Sequence, residues 1–318
     1  MNSLSQTLDK NLYAYRGIPA AAVGVSGGAD SLALLYLAAE WGQRHGVNIS
    51  AMTVDHGLRP EAADEAAHVK NLCQTLNIPH VTLTAKVPLG DRRIQENARN
   101  MRYDLMRAYC RENSIGHLLL AHHLDDQYET VLMRLAHGSG LKGLGGIKPA
   151  NLTEGILLLR PLLAIPKSAL LDYCRRHDIR WCEDPSNQQS KYDRVRVRES
   201  APVLQDLGLT PEMIEKSRGK LAAAQDFIDD VLAPLLYDFL QDGRAEMDME
   251  HFLTLHPYMR QALIEKALKR LSGKIYPPRY DSLCALLDSL AQAGFSGATL
   301  HKCRIFIKNQ RLCIEKEG

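Results

Sequence analysis

One stretch near the N-terminus has the residue types of a phosphate-binding loop. It runs Ser26-Gly27-Gly28-Ala29-Asp30-Ser31, between a predicted buried strand and a predicted helix. Glycines let backbone N–H groups approach an anion, serine hydroxyls add donors, and a helix N-terminus favours negative charge. We expect these six residues to bind the phosphates of a nucleotide. Asp30 either holds Mg²⁺ against them and takes part in catalysis, or caps the helix.

The loop matches neither of two common nucleotide-binding motifs. The sequence contains no G-x-x-x-x-G-K-[ST] and no G-x-G-x-x-G string, which excludes a Walker A loop and a Rossmann fingerprint.

A second group of chemically capable residues lies near the middle of the chain. It consists of two histidines and three acids, namely His122, His123, Asp125, Asp126 and Glu129. Asp126 and Glu129 are three residues apart, so they share one face of the predicted helix. Acids in a first turn also suit the helix dipole, but this set exceeds what capping requires. A carboxylate here could accept a proton from an amine nucleophile, and the sequence leaves open which one does.

Two basic groups complete the set of candidates. Arg99 and Arg102 lie three apart on a predicted helix and could clamp phosphates or simply be solvated. The densest basic patch, residues 191–198, carries Arg194, Arg196 and Arg198. All three arginines face one way if the patch is extended, and Arg194 and Arg198 align if it is helical. Either form could contact RNA phosphates.

The apolar pattern predicts the elements that position these residues. Predicted strands alternate with amphipathic helices; the strands cover 20–25, 49–54, 80–85, 117–121 and 156–159. This alternation predicts a doubly wound, mostly parallel α/β sheet over residues 1–205. Helices at 213–232, 259–271 and 280–293 and a strand at 304–308 follow. We expect a linker helix within 206–235 and a small α+β domain over 236–318.

Composition is typical of a soluble globular protein. Lys+Arg total 39 against Asp+Glu 37, so the net charge does not point to nucleic acid. The seven cysteines are dispersed and include no C-x-x-C pair, as expected for a cytoplasmic protein with core thiols. No apolar run has the roughly 18 residues of a membrane span. The oligomeric state, a homodimer included, is left open.

The phosphate-loop string, S-G-G-x-D-S, resembles the PP-loop of the ATP pyrophosphatase superfamily. Further motifs resemble the tRNA(Ile)-lysidine synthase family and occur in its order: V-D-H-x-L-R (54–59), A-R-x-x-R-Y (98–103), A-H-H-x-D-D-Q-x-E-T (121–130), G-S-G-L-K-G-L (138–144), R-P-L-L (160–163) and E-D-P-S-N (183–187). The family pattern near the basic patch is closer to R-N-R-I-R, and Val195 stands where Asn is expected. Longer members carry another C-terminal domain, so we expect a short form.

The resemblance implies a specific reaction. ATP adenylates the C2 oxygen of the wobble cytidine in tRNA(Ile) with anticodon CAU, and free lysine displaces AMP to give lysidine. It also implies catalytic roles for Asp30, Arg99, His122, Asp126 and Glu129. His56, Arg59 and the three arginines of the basic patch are the implied tRNA contacts. A tRNA thiolase of the same superfamily and a nucleotide sensor without turnover are the alternatives.

Overall fold

A computed structural model describes residues 3–55, 61–84, 94–182, 193–241, 243–274, 276–292 and 294–317. The chain divides into two compact units, Met1–Ala222 and Ala223–Gly318. The division falls within one long helix, and each unit has its own hydrophobic core. The domain limits expected from the sequence, residues 1–205, 206–235 and 236–318, stay a prediction.

The first unit is built around a six-stranded sheet. Its strands are β1 (Ala20–Gly24), β2 (Asn48–Asp55), β3 (His80–Thr84), β4 (His117–Leu119), β5 (Ala150–Thr153) and β6 (Ile156–Leu159). Their order in the sheet is β3-β2-β1-β4-β6-β5, and all neighbours are parallel except the antiparallel β5–β6 pair. The predicted doubly wound, mostly parallel sheet is therefore confirmed.

Helices cover both faces of this sheet. The helices that begin in the first unit are α1 (Ser3–Asn11), α2 (Ala29–His45), α3 (Glu61–Thr75), α4 (Ile94–Glu112), α5 (Leu124–Ala136), α6 (Leu141–Leu144), α7 (Lys167–Arg176), α8 (Asp193–Asp206) and α9 (Pro211–Phe239), which continues into the second unit, with a short 3-10 turn at Tyr13–Tyr15. β1 illustrates the layering, because Ala21 and Val23 pack into one core cluster and Ala22 into another. Alternate residues of a strand point to opposite faces, so apolar residues at every position of β1 require cover on both sides.

The strand order reverses between β1 and β4. β1 pairs with β2 on one side and with β4 on the other, while α2 and β2 follow β1 in the chain. Open α/β sheets bind ligands outside the carboxyl ends of their strands at such a switch point. The loop after β1 and the segment between β4 and α5 both start at this edge.

In the described residues, the second unit contains a five-stranded antiparallel sheet, three helices of its own and the C-terminal half of α9. The strands are β7 (Leu240–Gln241), β8 (Arg244–Asp248), β9 (Ala298–Leu300), β10 (Cys303–Lys308) and β11 (Arg311–Lys316), in the order β7-β8-β11-β10-β9. The helices are α10 (Met249–Thr254), α11 (Pro257–Ser272) and α12 (Tyr280–Leu290). The expected α+β class is confirmed, although the sequence predicted only the strand at 304–308. The β10–β11 turn uses Asn309 and Gln310 at φ of 50° and 60°, without the glycine that usually marks such a turn.

Two further features bear on the sequence prediction. Helix α9 continues to Phe239 through Pro234, past the predicted end at residue 232. The basic patch is helical from Asp193 onward, which selects the helical alternative for Arg194 and Arg198. Intrinsic preference for or against a helix is weaker than tertiary packing.

Two global features concern cysteines and membranes. All seven cysteines are free, but only four are buried, and Cys182, Cys284 and Cys313 are half-buried. The expectation of core thiols therefore holds for four of them. None of the helices in the described part of the chain combines the length and apolar character that a bilayer crossing needs.

Gly42 of α2 should be intolerant of a methyl group. A Cβ at Gly42 would lie 2.7 Å from the Val47 carbonyl oxygen and 2.6 Å from Ile49 Cγ1, whereas a Cβ at Gly219 of α9 would meet nothing within 4 Å. We expect Gly42→Ala to lower the free energy of unfolding by about 1–3 kcal/mol. Gly219→Ala should raise it by up to about 1 kcal/mol, because alanine favours the helix. Urea unfolding of both variants checks this; equal effects would show that helix preference alone acts.

Candidate active site

The loop after β1 is shaped by its own backbone and by one serine. Gly27 has a φ of +85°, in the left-handed region that favours glycine. Its carbonyl accepts a hydrogen bond from Cys182 N at 3.0 Å. Ser31 Oγ donates to Gly28 O at 2.9 Å and accepts from Ser26 N at 3.1 Å. The buried Ser31 hydroxyl therefore holds the loop, while Ser26 is exposed and its Oγ lies 3.3 Å from Ser31 Oγ.

Helix α2 begins with an N-terminus that no described side chain caps. Its N-cap is Gly28, which makes no side-chain hydrogen bond to the first turn. First-turn N–H groups without a partner in the helix are natural anion donors. The sequence left Asp30 two roles, as a Mg²⁺ ligand or as the helix cap. Asp30 lies within the first turn and Gly28 is the N-cap residue, so Asp30 is not the cap of α2. Asp30 Oδ1 is buried and has no hydrogen-bond partner among the described residues.

His123 connects the phosphate loop to Asp125, Asp126 and Glu129, which we call the acidic group. The contacts that His123 makes are with Asp30, Asp125 and Asp126. Its Nε2 lies 3.5 Å from Asp30 Oδ2 and 3.6 Å from Asp126 Oδ2, and its Nδ1 lies 3.5 Å from Asp125 Oδ2. His123 follows β4 and Asp30 follows β1, so the pairing of these two strands brings them together. The structure thus places Asp30 and Asp126 around one buried imidazole, although 96 positions separate them in the chain.

The three carboxylates keep this imidazole charged. Burial lowers the pKa of His123, but Asp125 and Asp30, with the charge of Asp126, outweigh burial and raise that pKa to about 10. His123 is therefore a cation at neutral pH. In return, contact with His123 lowers the pKa of Asp125 against the opposing effect of burial, and the Lys167 N–H adds to the lowering.

Asp125 and Asp126 also hold the ends of two helices. Asp126 Oδ2 accepts a hydrogen bond from His123 N at 3.1 Å as part of a capping box at the start of α5. Asp125 Oδ2 accepts from Lys167 N at 2.8 Å, at the first residue of α7. These capping bonds fix both carboxylates, and Asp126 remains partly open, with 15% of its side chain exposed.

Glu129 is a buried carboxylate that forms an ion pair with the more exposed Arg198. Arg198 Nε donates to Glu129 Oε1 at 2.5 Å, and Arg198 Nη2 donates to Oε2 at 3.3 Å. The Glu129 side chain is 4% exposed, against 39% for Arg198. The hydrogen bond with Glu129 raises the pKa of Arg198 against the effect of burial. One candidate proton acceptor and one expected RNA contact are thus bonded to each other.

His122 faces charges of the opposite sign from those around His123. Burial lowers the pKa of His122 well below its ordinary value, and the charges of Arg160, Arg99 and other arginines lower it further. His122 is therefore neutral at physiological pH, and its Nδ1 has no hydrogen-bond partner among the described residues. Arg99 is exposed, with its Cζ 5.4 Å from the centre of the Tyr103 ring.

The five expected tRNA contacts are His56, Arg59 and three arginines of α8, and the structure describes only the arginines. His56 and Arg59 lie outside the described residues. On α8, Arg194 is half-buried and its charge acts on His122, whereas Arg198 pairs with Glu129. Arg196 is exposed on the same helix. Val195 is 8% exposed, so the valine that replaces the family's asparagine packs inside the protein.

Sequence reasoning missed the effect of the Arg160 charge on His122 and the ion pair between Arg198 and Glu129. Arg160 follows β6 directly, and a charged residue just after a buried parallel strand is a usable signal for the ligand edge of the sheet. The Arg198–Glu129 pair joins residues 69 apart, and no local pattern indicates it. The described residues contain no group of three or more His, Cys, Asp or Glu side chains that could hold a metal ion.

Comparisons with known proteins agree with this geometry. A family model described as a PP-loop domain matches residues 1–204. The tRNA(Ile)-lysidine synthase of Ruegeria pomeroyi is 36% identical over 270 residues, which cover 84% of this chain and 64% of that protein. The one from Rhodopseudomonas palustris is 36% identical over 303 residues, covering 92% and 86%. A solved U34-tRNA thiolase, NcsA from Methanococcus maripaludis, covers 69% of this chain and 78% of its own at 21% identity and a TM-score of 0.60, which shows a shared fold.

The Glu129–Arg198 pair should behave as one energetic unit. We expect Glu129→Gln and Arg198→Met each to lower the free energy of unfolding, because each leaves a polar partner unpaired. The double variant should lose less than the two single losses combined, by about 0.5–3 kcal/mol. Urea unfolding of the four proteins measures this coupling. Additive losses would mean that the pair does not stabilise the fold.

Proposed function

This chain belongs to the tRNA(Ile)-lysidine synthase family of PP-loop proteins, and we propose that it attaches free lysine to the wobble cytidine of tRNA(Ile) with anticodon CAU. The C2 oxygen of the cytosine attacks the α-phosphorus of ATP, and pyrophosphate leaves. The lysine ε-amine then attacks C2 and AMP leaves, giving lysidine. The modified tRNA changes from methionine to isoleucine identity and from AUG to AUA decoding. The reaction takes place in the cytoplasm.

One observation carries this proposal: His123 lies within 3.6 Å of both Asp30 and Asp126. Asp30 belongs to the phosphate loop, and Asp126 belongs to the acidic group at the start of α5. A nucleotide held by the loop would therefore have its phosphates next to the acidic group. Adenylation needs the phosphate and the base to be within reach of each other, so this adjacency supports base activation at the switch point.

The loop supplies the groups that hold ATP. The uncapped N-terminus of α2, Ser26 and the glycines present donors to the phosphates, and Arg99 adds a positive charge as negative charge develops. Asp30 suits Mg²⁺, because its Oδ1 is buried without a partner and Mg²⁺ prefers hard oxygen ligands. Mg²⁺ in nucleotide sites takes one or two carboxylates together with phosphate oxygens and water, and it neutralises phosphate charge.

The second step needs an acceptor for a proton of the lysine ammonium. Asp126 and Glu129 lie three apart on α5 and are the candidate acceptors. Asp126 is partly exposed and fixed by His123, while Glu129 is buried against Arg198. A guanidinium on Glu129 occupies the carboxylate that an ammonium group would otherwise contact. Glu129 can therefore bind the amine only after the Arg198 bond loosens.

The helix α8 is the candidate contact for the RNA backbone. Arg196 is exposed there, and Arg194 lies near His122. Arginine binds phosphate oxygens in a planar, bidentate manner. We assign phosphate contacts to Arg194, Arg196 and Arg198, and to His56 and Arg59 in the segment after β2. A homodimer belongs to this proposal only as an open alternative to a monomer.

A thiolase is the alternative enzyme. One solved structural relative is a U34-tRNA thiolase, but this sequence has no C-x-x-C pair. Burial raises the pKa of Cys182, the cysteine whose backbone N–H bonds the phosphate loop. A raised pKa keeps that thiol protonated and poorly nucleophilic, which favours the lysine ligase.

The reaction itself gives the first test of the proposed function. With ATP, radiolabelled lysine and tRNA transcripts, we expect AMP and pyrophosphate as products and label only in the tRNA(Ile) with anticodon CAU. Initiator tRNA(Met), which shares that anticodon, is the matched control. Formation of ADP, or equal labelling of both tRNAs, would contradict the assignment.

The two acidic positions should affect different steps. Asp30→Asn should slow adenylation, while Glu129→Gln should slow amine attack by about 10²–10⁴-fold and let the adenylated tRNA accumulate. Glu112→Gln, at the exposed end of α4, is the matched control and should leave both steps unchanged. Single-turnover quench-flow measures the adenylate and lysidine separately. A normal adenylation rate in Asp30→Asn would refute the role given to Asp30.

A further inference from the structure

The outer side of helix α9 is apolar in its middle although it is exposed. The helix runs without interruption from Pro211 to Phe239. On its inner side, Leu232 and Phe239 are buried in the core of the second unit. On its outer side, Phe227 is 68% exposed and Val231 is 41% exposed. The outer face of a surface helix is normally polar, and exposed apolar patches mark contacts with a partner.

Exposed residues recur along this side at alternate intervals of four and three positions. They are Lys220, Ala224, Phe227, Val231, Pro234 and Asp238, which we call the α9 stripe. The four inner positions are apolar and the two ends are charged. All but Lys220 belong to the second unit. Alternation of four and three is the spacing of the seam along which two helices pack against each other, so α9 carries such a seam on its exposed side.

The apolar part of the stripe is complementary to itself when one helix is reversed. Phe227 and Val231 lie two positions on either side of position 229, and Ala224 and Pro234 lie five positions on either side of it. In an antiparallel pair of α9 helices centred there, Phe227 of each copy faces Val231 of the other. The small Ala224 likewise faces the larger Pro234. Every contact is then made twice, which is the property of a twofold-symmetric interface.

The charged ends of the stripe select the antiparallel direction. Lys220 and Asp238 each lie nine positions from the same centre, so a reversed copy brings them opposite each other at both ends. A parallel pair would instead place lysine against lysine and aspartate against aspartate, and like charges repel. Two other charges of α9 are already paired, Arg218 with Glu215 and Asp229 with Lys266. Within the part of the chain that the structure describes, neither Lys220 nor Asp238 forms an ion pair.

We infer that the α9 stripe is the contact surface for a second copy of this chain, in an antiparallel twofold dimer. From Lys220 to Asp238 the helix is about 27 Å long, and a contact through one helix of each copy is at the small end of specific interfaces. The dimer is therefore reversible and depends on protein concentration. The inference goes beyond the proposed function, because it uses none of the residues assigned to ATP, lysine or tRNA.

Charge reversal at the two ends tests both the partner and the direction. Lys220→Glu places two acids opposite each other and Asp238→Lys places two lysines, so each should weaken dimerisation about tenfold or more. The double variant restores opposite charges in exchanged positions and should dimerise like the wild type. Asp226→Lys, exposed on the same helix but outside the stripe, is the matched control and should change nothing. Sedimentation equilibrium over a series of protein concentrations measures the dissociation constant.

The apolar centre is tested separately. Phe227→Ala removes a side chain that faces Val231 twice in each dimer, and we expect it to weaken dimerisation about tenfold or more. Leu253→Ala on α10, where the leucine is 44% exposed in the same unit, is the matched control and should leave the dissociation constant unchanged. Both side chains are exposed, so both variants should fold.

A chain that stays monomeric at every concentration would overturn the inference. A dimer that Phe227→Ala leaves unchanged would do the same, because another surface would then hold it. Failure of the double variant to recover what the single charge reversals lose would refute the antiparallel pairing. The ligation assay is independent of these outcomes. A monomer that forms lysidine leaves the proposed function standing without the dimer, and a dimer that forms none leaves the dimer standing without the function.

Discussion

A buried imidazolium among three carboxylates joins the segments at the carboxyl edge of the first unit's sheet. His123 is 4% exposed and lies within 3.6 Å of Asp30, Asp125 and Asp126. Three carboxylates this close would repel one another, and the cation between them removes much of that repulsion. The same contacts join the loop after β1, the start of α5 and, through Asp125, the start of α7. A ligand that binds at the switch point between β1 and β4 would therefore meet carboxylates whose positions depend on the charged His123.

Two adjacent histidines divide the site into regions of opposite charge. His123 is charged by acids, and His122 is kept neutral by burial and by arginines. Consecutive side chains in extended backbone point to opposite sides, so one short segment after β4 can face both regions. The proposed reaction would use such a division, because cations bind phosphates and an attacking amine needs a carboxylate to accept its proton.

The Arg198–Glu129 pair links the two regions. Glu129 belongs to the acidic helix, and Arg198 belongs to the basic helix α8. The bidentate bond satisfies a glutamate that is otherwise buried. Under the proposed function, Arg198 would have to leave Glu129 before that glutamate could contact an ammonium group.

Much of this architecture follows from the sequence alone. Apolar residues at every position of β1 and the alternation of strands and helices determine a parallel sheet, and the Gly27-Gly28 loop predicts an anion site at its edge, since each is a local pattern. The acidic group could also be found from spacing along α5. The second sheet was mostly missed, because its strands are short and half-exposed and the β10–β11 turn has no glycine.

Only the tertiary structure decided how these groups combine. Local spacing does not indicate that His123 meets Asp30, that Arg198 binds Glu129, or that the charge of Arg160 acts on His122. These contacts depend on which strands become neighbours in the sheet and on where α8 returns to α5. Charge and burial at each position follow from those long-range neighbours, so the protonation states of His122 and His123 are properties of the fold.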